Sequence, residues 1–248
     1  MDLQKFRESR IPIVEIFNSV SGEGISAGTV MTFVRVAGCN LRCRYCDTAY
    51  SYNESEPGNR LLKPDEIIDI LNSCRCKKVL CTGGEPLELS KAKRYLPLYI
   101  ASKGFNVRIE TNGSCPVYVK NEIQEYSGNV SPLKLNYALD IKCPDSGMVD
   151  YNIYDENFKD LGPGDEIKFI VGSKRDLKYG LDTIYKHSEV FSSTGVIINF
   201  LPVFGKLHPA VIVNMLKEND EYFEEHNLKV RLSLQIHKFI WPPKTRGV

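Results

Sequence analysis

The chain has 248 residues, of which 42% are hydrophobic and 25% charged, and this balance is typical of one soluble globular domain spanning residues 1–248. A formal net charge of +1 provides no broad attraction for a phosphate backbone or an anionic membrane, so neither nucleic acid nor membrane is expected as a partner. The charged start and the lack of a long apolar run favour a cytoplasmic protein, in which eight cysteines indicate metal chemistry or buried thiols rather than disulfides.

From residue 31 onward, short β-branched and apolar runs alternate with helical patterns, which predicts βαβ units and a mostly parallel sheet. The predicted strands cover residues 31–36, 78–82, 106–111, 137–142, 166–171, 196–203 and 229–236. About six βα units are fewer than the eight of a closed barrel, so we predict an α/β fold of the partial or distorted (β/α) barrel type. An open doubly wound sheet is the alternative.

A first helix is predicted to begin at Pro64, because proline suits the first helical position and Ile67, Ile68 and Leu71 share one apolar face. Further helices are predicted over 90–102, 174–191 and 209–226. Pro97 is expected to kink or break the helix over 90–102. Glycine and proline predict loops over 52–60 and 143–165, the second containing one short helix.

The strand over 31–36 is followed by Cys39, Cys43 and Cys46, with the spacing Cys-x3-Cys-x2-Cys. Three thiolates in one loop hold three corners of a 4Fe–4S cube and leave its fourth iron open. A structural zinc ion prefers four ligands, and no clear fourth cysteine or histidine follows. The spacing therefore favours a 4Fe–4S cluster, with zinc or unligated thiols as the alternative.

The other cysteines show no familiar cluster spacing. Cys81 and Cys143 lie in or beside strand patterns and are interpreted as buried apolar thiols. Cys74 and Cys76 lie at a helix end, where they could bind adventitious metal.

The cysteine loop resembles the signature of the radical S-adenosylmethionine (SAM) enzymes. Gly83-Gly84-Glu85-Pro86 follows the second predicted strand; alone it would indicate a tight turn, but beside the cysteine loop it resembles the segment that binds the methionine moiety in that superfamily. The resemblance implies that the open iron binds SAM and that reduction releases a 5′-deoxyadenosyl radical. It also implies an electron donor such as flavodoxin or ferredoxin.

Together with residues 15–24, Arg35, Cys46-Asp47-Thr48 and Arg246-Gly247-Val248, these motifs resemble the 7-carboxy-7-deazaguanine synthase family over nearly the whole chain. The resemblance implies a lyase that contracts the ring of 6-carboxy-5,6,7,8-tetrahydropterin to give 7-carboxy-7-deazaguanine and ammonia. This reaction lies on the route to queuosine, and the resemblance implies that it regenerates SAM, uses Mg²⁺ and takes place in a homodimer.

The resemblance also assigns roles to individual residues. For the pterin substrate these are Val20, Ser21, Gly22, Arg35 and Thr82. For SAM they are Tyr45, Cys46, Asp47, Gly84, Asp140, Ile141 and Lys142. The cluster ligands are Cys39, Cys43 and Cys46, and Thr48 is the Mg²⁺ ligand. Glu110, His237 and the segment 201–204 are further candidates for ligand contact.

Simpler interpretations stay open for several of these residues. Arg35 could be an ordinary strand arginine, Lys142 a solvated base, and Thr48 a cap of its loop. The chain also departs from the family: Ser21 stands where glutamine is usual, and Asp140-Ile141 stands where many members carry Ser-Pro.

Two other functions compete with the synthase. One is a radical SAM activating enzyme, which needs an open groove for a partner polypeptide rather than a closed small pocket. The other is a non-catalytic binding module stabilised by zinc.

Overall fold

A computed structural model describes residues 1–127, 132–242 and 245–248 of the chain. Its strands form one sheet in the order β3-β1-β2-β4-β5-β6-β7-β8-β9. The strands are β1 Ile11–Val20, β2 Val30–Val36, β3 Arg60–Leu62, β4 Lys78–Gly83, β5 Asn106–Thr111, β6 Leu135–Ile141, β7 Glu166–Val171, β8 Ile197–Pro202 and β9 Lys229–Leu232. The sheet does not close, because β3 and β9 occupy its two edges.

The part of the sheet from β2 to β9 is parallel throughout, with each neighbouring pair joined by a crossover. Seven parallel strands require six crossovers, which confirms the prediction of a mostly parallel partial barrel with about six βα units. The predicted strand over 229–236 is too long: Ile236 N donates to Gly22 O at 2.8 Å, so the chain has already left the sheet there.

Two strands precede or interrupt this parallel run. β1 pairs antiparallel with β2, from Ile13 opposite Val36 to Val20 opposite Val30, and β3 pairs antiparallel with the start of β1. Arg60, which was predicted as loop, therefore belongs to a strand. This antiparallel extension places the turn after Val20 beside the mouth of the parallel sheet.

The α-helices are α1 Leu3–Glu8, α2 Pro64–Ser73, α3 Leu96–Ser102, α4 Lys120–Ser127, α5 Tyr154–Asn157, α6 Lys174–Lys186, α7 Ser188–Thr194, α8 Pro209–Glu225 and α9 His237–Ile240. The helix predicted over 90–102 begins later than expected, because a short 3₁₀ turn over 92–95 precedes α3, and the break expected at Pro97 falls between Tyr95 and Leu96. Pro97 lies in the first turn of α3, where its missing N–H costs no helical hydrogen bond.

The helix predicted over 174–191 is wrong as one element. His187 leaves helical geometry (φ −114°, ψ 16°) and separates α6 from α7. The ring of His187 packs edge-on against Phe158, with ring centroids 5.1 Å apart. The break thus bends α7 back onto the loop over 143–165, which contains the short helix α5 as predicted.

The two faces of the parallel strands differ in chemistry. On β6, Leu139 and Ile141 pack in the hydrophobic core, whereas Asp140 and the following Lys142 line a cavity on the opposite face. Alternation along a strand sends successive side chains to opposite faces. In the described ranges, no helix is both long and apolar enough to cross a membrane.

Candidate active site

A cavity of about 760 Å³ opens where the parallel strands end. Its wall includes residues from the carboxyl ends of four successive strands: Thr82, Glu110, Asp140 and Lys168. This is the edge at which (β/α) barrels carry their reactive groups. The volume falls in the range of small-molecule sites, about 300–1,000 Å³.

The cysteine loop forms one side of the cavity, and Cys39, Cys43 and Cys46 all line it. Both ends of the loop are tied by backbone hydrogen bonds, from Gly38 N to Ser51 O at 2.8 Å and from Cys39 N to Tyr52 O at 3.4 Å. Buried Lys93 adds a cross-link, donating from Nζ to Ala37 O at 2.9 Å and to Gly38 O at 2.7 Å.

The turn after β4 packs directly on this loop. Gly84 N donates to Val36 O at 2.9 Å, and Glu85 N donates to Gly38 O at 2.8 Å. A Cβ atom on Gly84 would lie 1.9 Å from Gly38 O, so only glycine permits this approach. The buried Glu85 carboxylate accepts from Thr111 Oγ1 at 2.8 Å and Asn112 N at 2.7 Å, which ties the ends of β4 and β5 together.

The three thiols of the cysteine loop suit a cluster that is held by one thiolate at each of three corners. All eight cysteines lie within the described ranges and form no disulfide. Of these eight, Cys39, Cys43 and Cys46 of the cysteine loop are the ones that line the cavity. Burial raises the pKa of Cys39 and Cys43, while Lys142 opposes that rise and so favours the thiolates that bind metal. Asn112 Nδ2 lies 3.6 Å from Cys39 Sγ, a hydrogen bond of the kind that tunes iron–sulfur clusters.

Within the described part of the chain, no three histidine, cysteine or acidic side chains converge as the ligands of a single metal ion do. Cys39, Cys43 and Cys46 nonetheless all line the same cavity. A 4Fe–4S cube contacts each thiolate at its own iron, so its ligands need not converge on one point.

The residues assigned to SAM lie around the cysteine loop. Asp140 Oδ2 is 2.7 Å from Lys142 Nζ, and Tyr45 OH donates to Ile170 O at 3.1 Å. Although burial alone would raise it, Lys142 and Lys168 hold the pKa of Asp140 below its usual value. Lys142 correspondingly has a raised pKa, because Asp140 outweighs the effect of burial. An ionised pair thus lines this wall, and Lys142 is not an exposed, solvated base.

On the opposite side, Arg35 Nε is 2.7 Å from Glu15 Oε1, and Tyr50 OH donates to the same oxygen at 3.3 Å. Arg35, Val20, Gly22 and Thr82 all line the cavity. A Cβ atom on Gly22 would lie 1.9 Å from His237 Nδ1. The glycine therefore lets the His237 ring reach the cavity wall, where burial lowers its pKa.

Thr48 also lines the cavity, and its hydroxyl lies 3.6 Å from Cys46 Sγ. Its backbone carbonyl accepts from Ser51 N at 2.8 Å and from Ser51 Oγ at 2.7 Å. The side chain makes no capping hydrogen bond to the turn that follows. The hydroxyl is therefore held at the cavity by the backbone.

Sequence reasoning missed several residues of the wall. Lys168 lies within 3.6 Å of carboxylate oxygens of Glu23, Glu110 and Asp140. Burial raises the pKa of Glu110 to about 7, although Lys168 lowers it. The alternation of charged and apolar residues in Glu166-Ile167-Lys168-Phe169 was the available signal, since it sets Lys168 apart from its buried apolar neighbours on β7.

The last residues of the chain, Thr245 to Val248, also line the cavity. The guanidinium carbon of Arg246 lies 3.8 Å from the centroid of the Tyr50 ring. From the sequence, Arg246-Gly247-Val248 was significant only as a motif that resembles the synthase family. Its place in the wall follows from the fold.

Four candidates lie outside the wall: Ser21, Ile141, Leu201 and Pro202. Ser21 is buried with its hydroxyl 2.8 Å from that of Ser26, and Ile141 belongs to the hydrophobic core. Leu201 is buried too, although Val203 and Phe204 of the same segment reach the cavity. Cys81 and Cys143 are buried in the core, as predicted, and Cys74 and Cys76 do not line the cavity.

Comparison with known proteins agrees with this geometry. Residues 33–130 match the radical SAM superfamily. The chain is 37% identical to a protein of Clostridium acetobutylicum named 7-carboxy-7-deazaguanine synthase, over 95% of this chain and 98% of the relative. A protein of Koribacter versatilis with the same name is 33% identical, over 95% and 99% of the two chains.

The fold is also similar to a solved structure. A crystal structure of QueE from Escherichia coli superposes with a TM-score of 0.65 at 19% identity, covering 94% of this chain and 97% of the other. At that identity the likeness concerns the fold alone.

Proposed function

The chain belongs to the 7-carboxy-7-deazaguanine synthase family, and on that premise we propose that it converts 6-carboxy-5,6,7,8-tetrahydropterin to 7-carboxy-7-deazaguanine with release of ammonia. It is a radical SAM enzyme of the carbon–nitrogen lyase class, acting in queuosine biosynthesis on a small-molecule substrate. The observation that carries the proposal is the meeting of the cysteine loop, the Gly-Gly-Glu-Pro turn and Arg35 around one cavity.

When bound, the 4Fe–4S cluster and SAM supply the radical that starts the ring contraction. The thiolates of Cys39, Cys43 and Cys46 hold the cluster, and Lys93 and the Glu85 turn fix the backbone from which they project. The polypeptide thereby sets where the open iron faces.

Tyr45, Cys46, Asp47 and Gly84, which line the cavity beside the cysteine loop, would hold SAM there. Asp140 and Lys142 supply one anionic and one cationic group to its polar atoms, since both are buried and ionised. Ile141 supports this strand from the core and contributes no side-chain contact.

The pterin lies between the turn after β1 and the ends of β2 and β4. Arg35 binds its carboxylate, because a guanidinium held on one edge by Glu15 can still present its fork to an anion. Val20 and Gly22 line the pocket, and the Thr82 hydroxyl donates or accepts one hydrogen bond. Ser21 acts through the backbone, since its side chain faces Ser26.

Two further groups complete the substrate site. Glu110 offers carboxylate oxygens to the N–H groups of the pyrimidinone ring. His237 presents an imidazole whose pKa is lowered by burial, so that it is neutral at physiological pH.

The Thr48 hydroxyl, which lines the cavity, would hold Mg²⁺ together with the substrate carboxylate and water. A hydroxyl oxygen and a carboxylate suit this hard cation, which keeps several waters in its shell. When bound, the ion would orient the carboxylate and balance its charge.

One experiment tests cofactor, substrate and reaction together. The reconstituted protein is reduced and incubated without oxygen with SAM, Mg²⁺ and 6-carboxy-5,6,7,8-tetrahydropterin, and the products are identified by mass spectrometry. Formation of 7-carboxy-7-deazaguanine without net loss of SAM is expected. A protein that carries stoichiometric zinc without sulfide, or that consumes SAM without converting the pterin, would contradict the proposal.

The electron donor is a small acidic redox protein such as a flavodoxin or ferredoxin. Arg42 and Arg44 are exposed on the cysteine loop, close to where the electron must enter, and opposite charges speed such encounters. The enzyme works in the cytoplasm, a reducing compartment that keeps its thiols free.

The active form is a homodimer. Phe204, Phe239 and Ile240 are 44%, 68% and 54% exposed, and the Phe204 and Phe239 rings touch edge to face with centroids 5.9 Å apart. Adjacent exposed apolar groups of this kind support a protein contact.

A further inference from the structure

Lys168 is the most enclosed cation of the cavity, with a side chain only 3% exposed. Its Nζ atom lies 3.2 Å from Asp140 Oδ1, 3.3 Å from Glu23 Oε1 and 3.6 Å from Glu110 Oε1. These carboxylates come from β6, from the turn after β1 and from β5. One ammonium group therefore joins three segments that are far apart in sequence.

The number of partners exceeds what neutralising a buried lysine requires. One carboxylate would balance the charge of Lys168. Glu166 lies on the same strand, but it is already paired with Arg108 and hydrogen-bonded to Asn199. Asp140, Glu110 and Glu23 together raise the pKa of Lys168 well above its usual value, in spite of burial. The ammonium is thus a permanent charge at the centre of the carboxylates.

The carboxylates face different parts of the cavity. Asp140 stands with Lys142 beside the cysteine loop, where SAM is proposed to bind. Glu23 adjoins Gly22, and Glu110 projects from the neighbouring β5, both on the side proposed for the pterin. Lys168 stands between the two sides.

We propose that Lys168 is a positioning residue that holds Glu23, Glu110 and Asp140 in one arrangement, and so sets the pterin and SAM at a fixed distance from each other. The inference rests on the proposed function. Ionised carboxylates accept hydrogen bonds from the N–H groups of a pyrimidinone and from ribose hydroxyls. Without the ammonium they would repel one another, and Glu110, whose pKa burial already raises, would take up a proton more readily.

The charged groups facing Glu110 are Lys168 and Glu166 of β7, Asp140 of β6, and Glu23 of the turn after β1. Lys168 is the cation among them. Removal of its charge therefore raises the pKa of Glu110, and the carboxylate needs a higher pH to ionise.

The test uses the reconstituted holoenzyme with Lys168→Met, Lys168→Arg and a matched control, Lys178→Met, whose side chain is 75% exposed on α6. We expect Lys168→Met to raise both the KM for the pterin and the Kd for SAM about tenfold or more, as loss of one partner of a buried charge pair does. In Lys168→Met, the rise of kcat/KM on the acidic side of the pH profile should move to higher pH. Lys168→Arg keeps the charge and a profile close to wild type, and Lys178→Met changes neither quantity.

A second measurement does not depend on turnover. Infrared titration of the unloaded protein, with Glu110→Gln as the reference, follows the carboxyl band of Glu110. We expect that band to persist to higher pH in Lys168→Met than in wild type. If Lys168 had a purely structural role, the pH at which Glu110 titrates would be the same in Lys168→Met and in wild type.

A double-mutant cycle with Glu110→Gln decides whether Lys168 acts through this carboxylate. Coupled residues give effects on the pterin KM that do not add. Where Lys168→Met does not fold, Lys168→Gln takes its place in the cycle. Additive effects, or a folded neutral variant with wild-type KM, Kd and pH profile, would overturn the inference; a wild-type protein that makes no 7-carboxy-7-deazaguanine would instead overturn the proposed function.

Discussion

At the scale of single residues, the thiols of the cysteine loop differ from the other five cysteines in what surrounds them. Cys39, Cys43 and Cys46 line a polar cavity, whereas Cys81 and Cys143 are buried among apolar side chains. A thiolate is the form that binds iron, and Lys142 favours that form at Cys43, against the effect of burial. Spacing and surroundings therefore select the same residues.

We predict that Cys43→Ala abolishes cluster assembly, because two remaining thiolates do not hold a cube. Iron and acid-labile sulfide in the anaerobically reconstituted protein measure the effect. Cys76→Ala, in which the altered thiol lies outside the cavity, serves as the matched control and should load normally. Full iron and sulfide content in Cys43→Ala would refute the assignment.

Thr48→Ala should weaken the stimulation of turnover by Mg²⁺ more than it weakens SAM binding, because the hydroxyl is proposed as a ligand of the ion and not of SAM. Titration of activity with Mg²⁺ and a separate Kd for SAM measure the two effects. Thr48→Ser keeps the oxygen and should behave like wild type. An unchanged Mg²⁺ dependence in Thr48→Ala would remove this residue from the metal site.

The pKa of Glu110, raised by burial to about 7, predicts how activity depends on pH. The carboxylate is neutral below this pH and ionised above it, so kcat/KM for the pterin should rise as the pH increases through 7. Glu110→Gln should remove this limb of the profile, while Glu221→Gln, an exposed change on α8, should keep it. A kcat/KM that falls over the same interval would show that the protonated acid is the active form.

At the scale of elements, the turn after β4 and the cysteine loop behave as one unit. Gly84 and Glu85 donate backbone hydrogen bonds to Val36 and Gly38, and the Glu85 side chain continues the connection to β5. The position of the thiols thus depends on the backbone of a turn more than 35 residues further along the chain.

Gly84→Ala should disturb this unit, because the added Cβ atom would lie 1.9 Å from Gly38 O. We expect a loss of about 1–3 kcal/mol in the free energy of unfolding, as for other overpacked sites, and weaker SAM binding. Thermal melting and equilibrium dialysis measure the two. Gly162→Ala, where a Cβ atom meets nothing within 4 Å, is the control, and equal behaviour of the two variants would speak against the close packing.

The sequence predicted the parallel strands well, because their apolar runs recur at the spacing of βα units. β1 and β3 were not among the predicted strands, for physical reasons. β1 carries Glu15, Asn18 and Ser19 among its apolar residues, and its pairing with β2 is antiparallel, which βα spacing cannot reveal. The break at His187 depends on a tertiary contact with Phe158 that no local pattern contains.

The residues of the candidate site also divide into those that the sequence could reveal and those that only the fold reveals. The cysteine loop, the Gly-Gly-Glu-Pro turn and Thr48 lie in short motifs, so sequence alone could find them. Lys93 could not be found, since it acts on groups from a distant segment and looks like any other lysine until the chain has folded. Lys168 left a signal in the alternation along β7, but its partners come from distant segments that only the fold brings together.

At the scale of the whole molecule, the cavity draws on nearly the full length of the chain, from Phe17 on β1 to Val248. Its walls combine the antiparallel extension, the parallel strands and the residues that follow α9. The site therefore draws on strands β1, β2 and β4 to β7 and on residues that follow β8 and β9. The exposed aromatic patch lies beside this site, since Phe204 belongs to both.

Phe239→Glu should convert the proposed homodimer to a monomer, because a charge in an apolar contact is costly to bury. Sedimentation velocity measures the change in mass. Leu89→Glu, at a leucine that is 53% exposed elsewhere on the surface, should leave the mass unchanged. A wild-type protein that sediments as a monomer would rule out the dimer itself.

The hydrogen bonds that close the cysteine loop, from Gly38 to Ser51 and from Cys39 to Tyr52, and the Lys93 cross-link involve only polypeptide atoms. The polypeptide thus supplies contacts of its own that hold the frame around the thiols. Damage by oxygen should strip the metal while leaving a folded shell behind, and that shell should accept fresh iron and sulfide without passing through an unfolded state. Maturation in the cell can then follow folding, and an inactivated enzyme can be repaired rather than replaced.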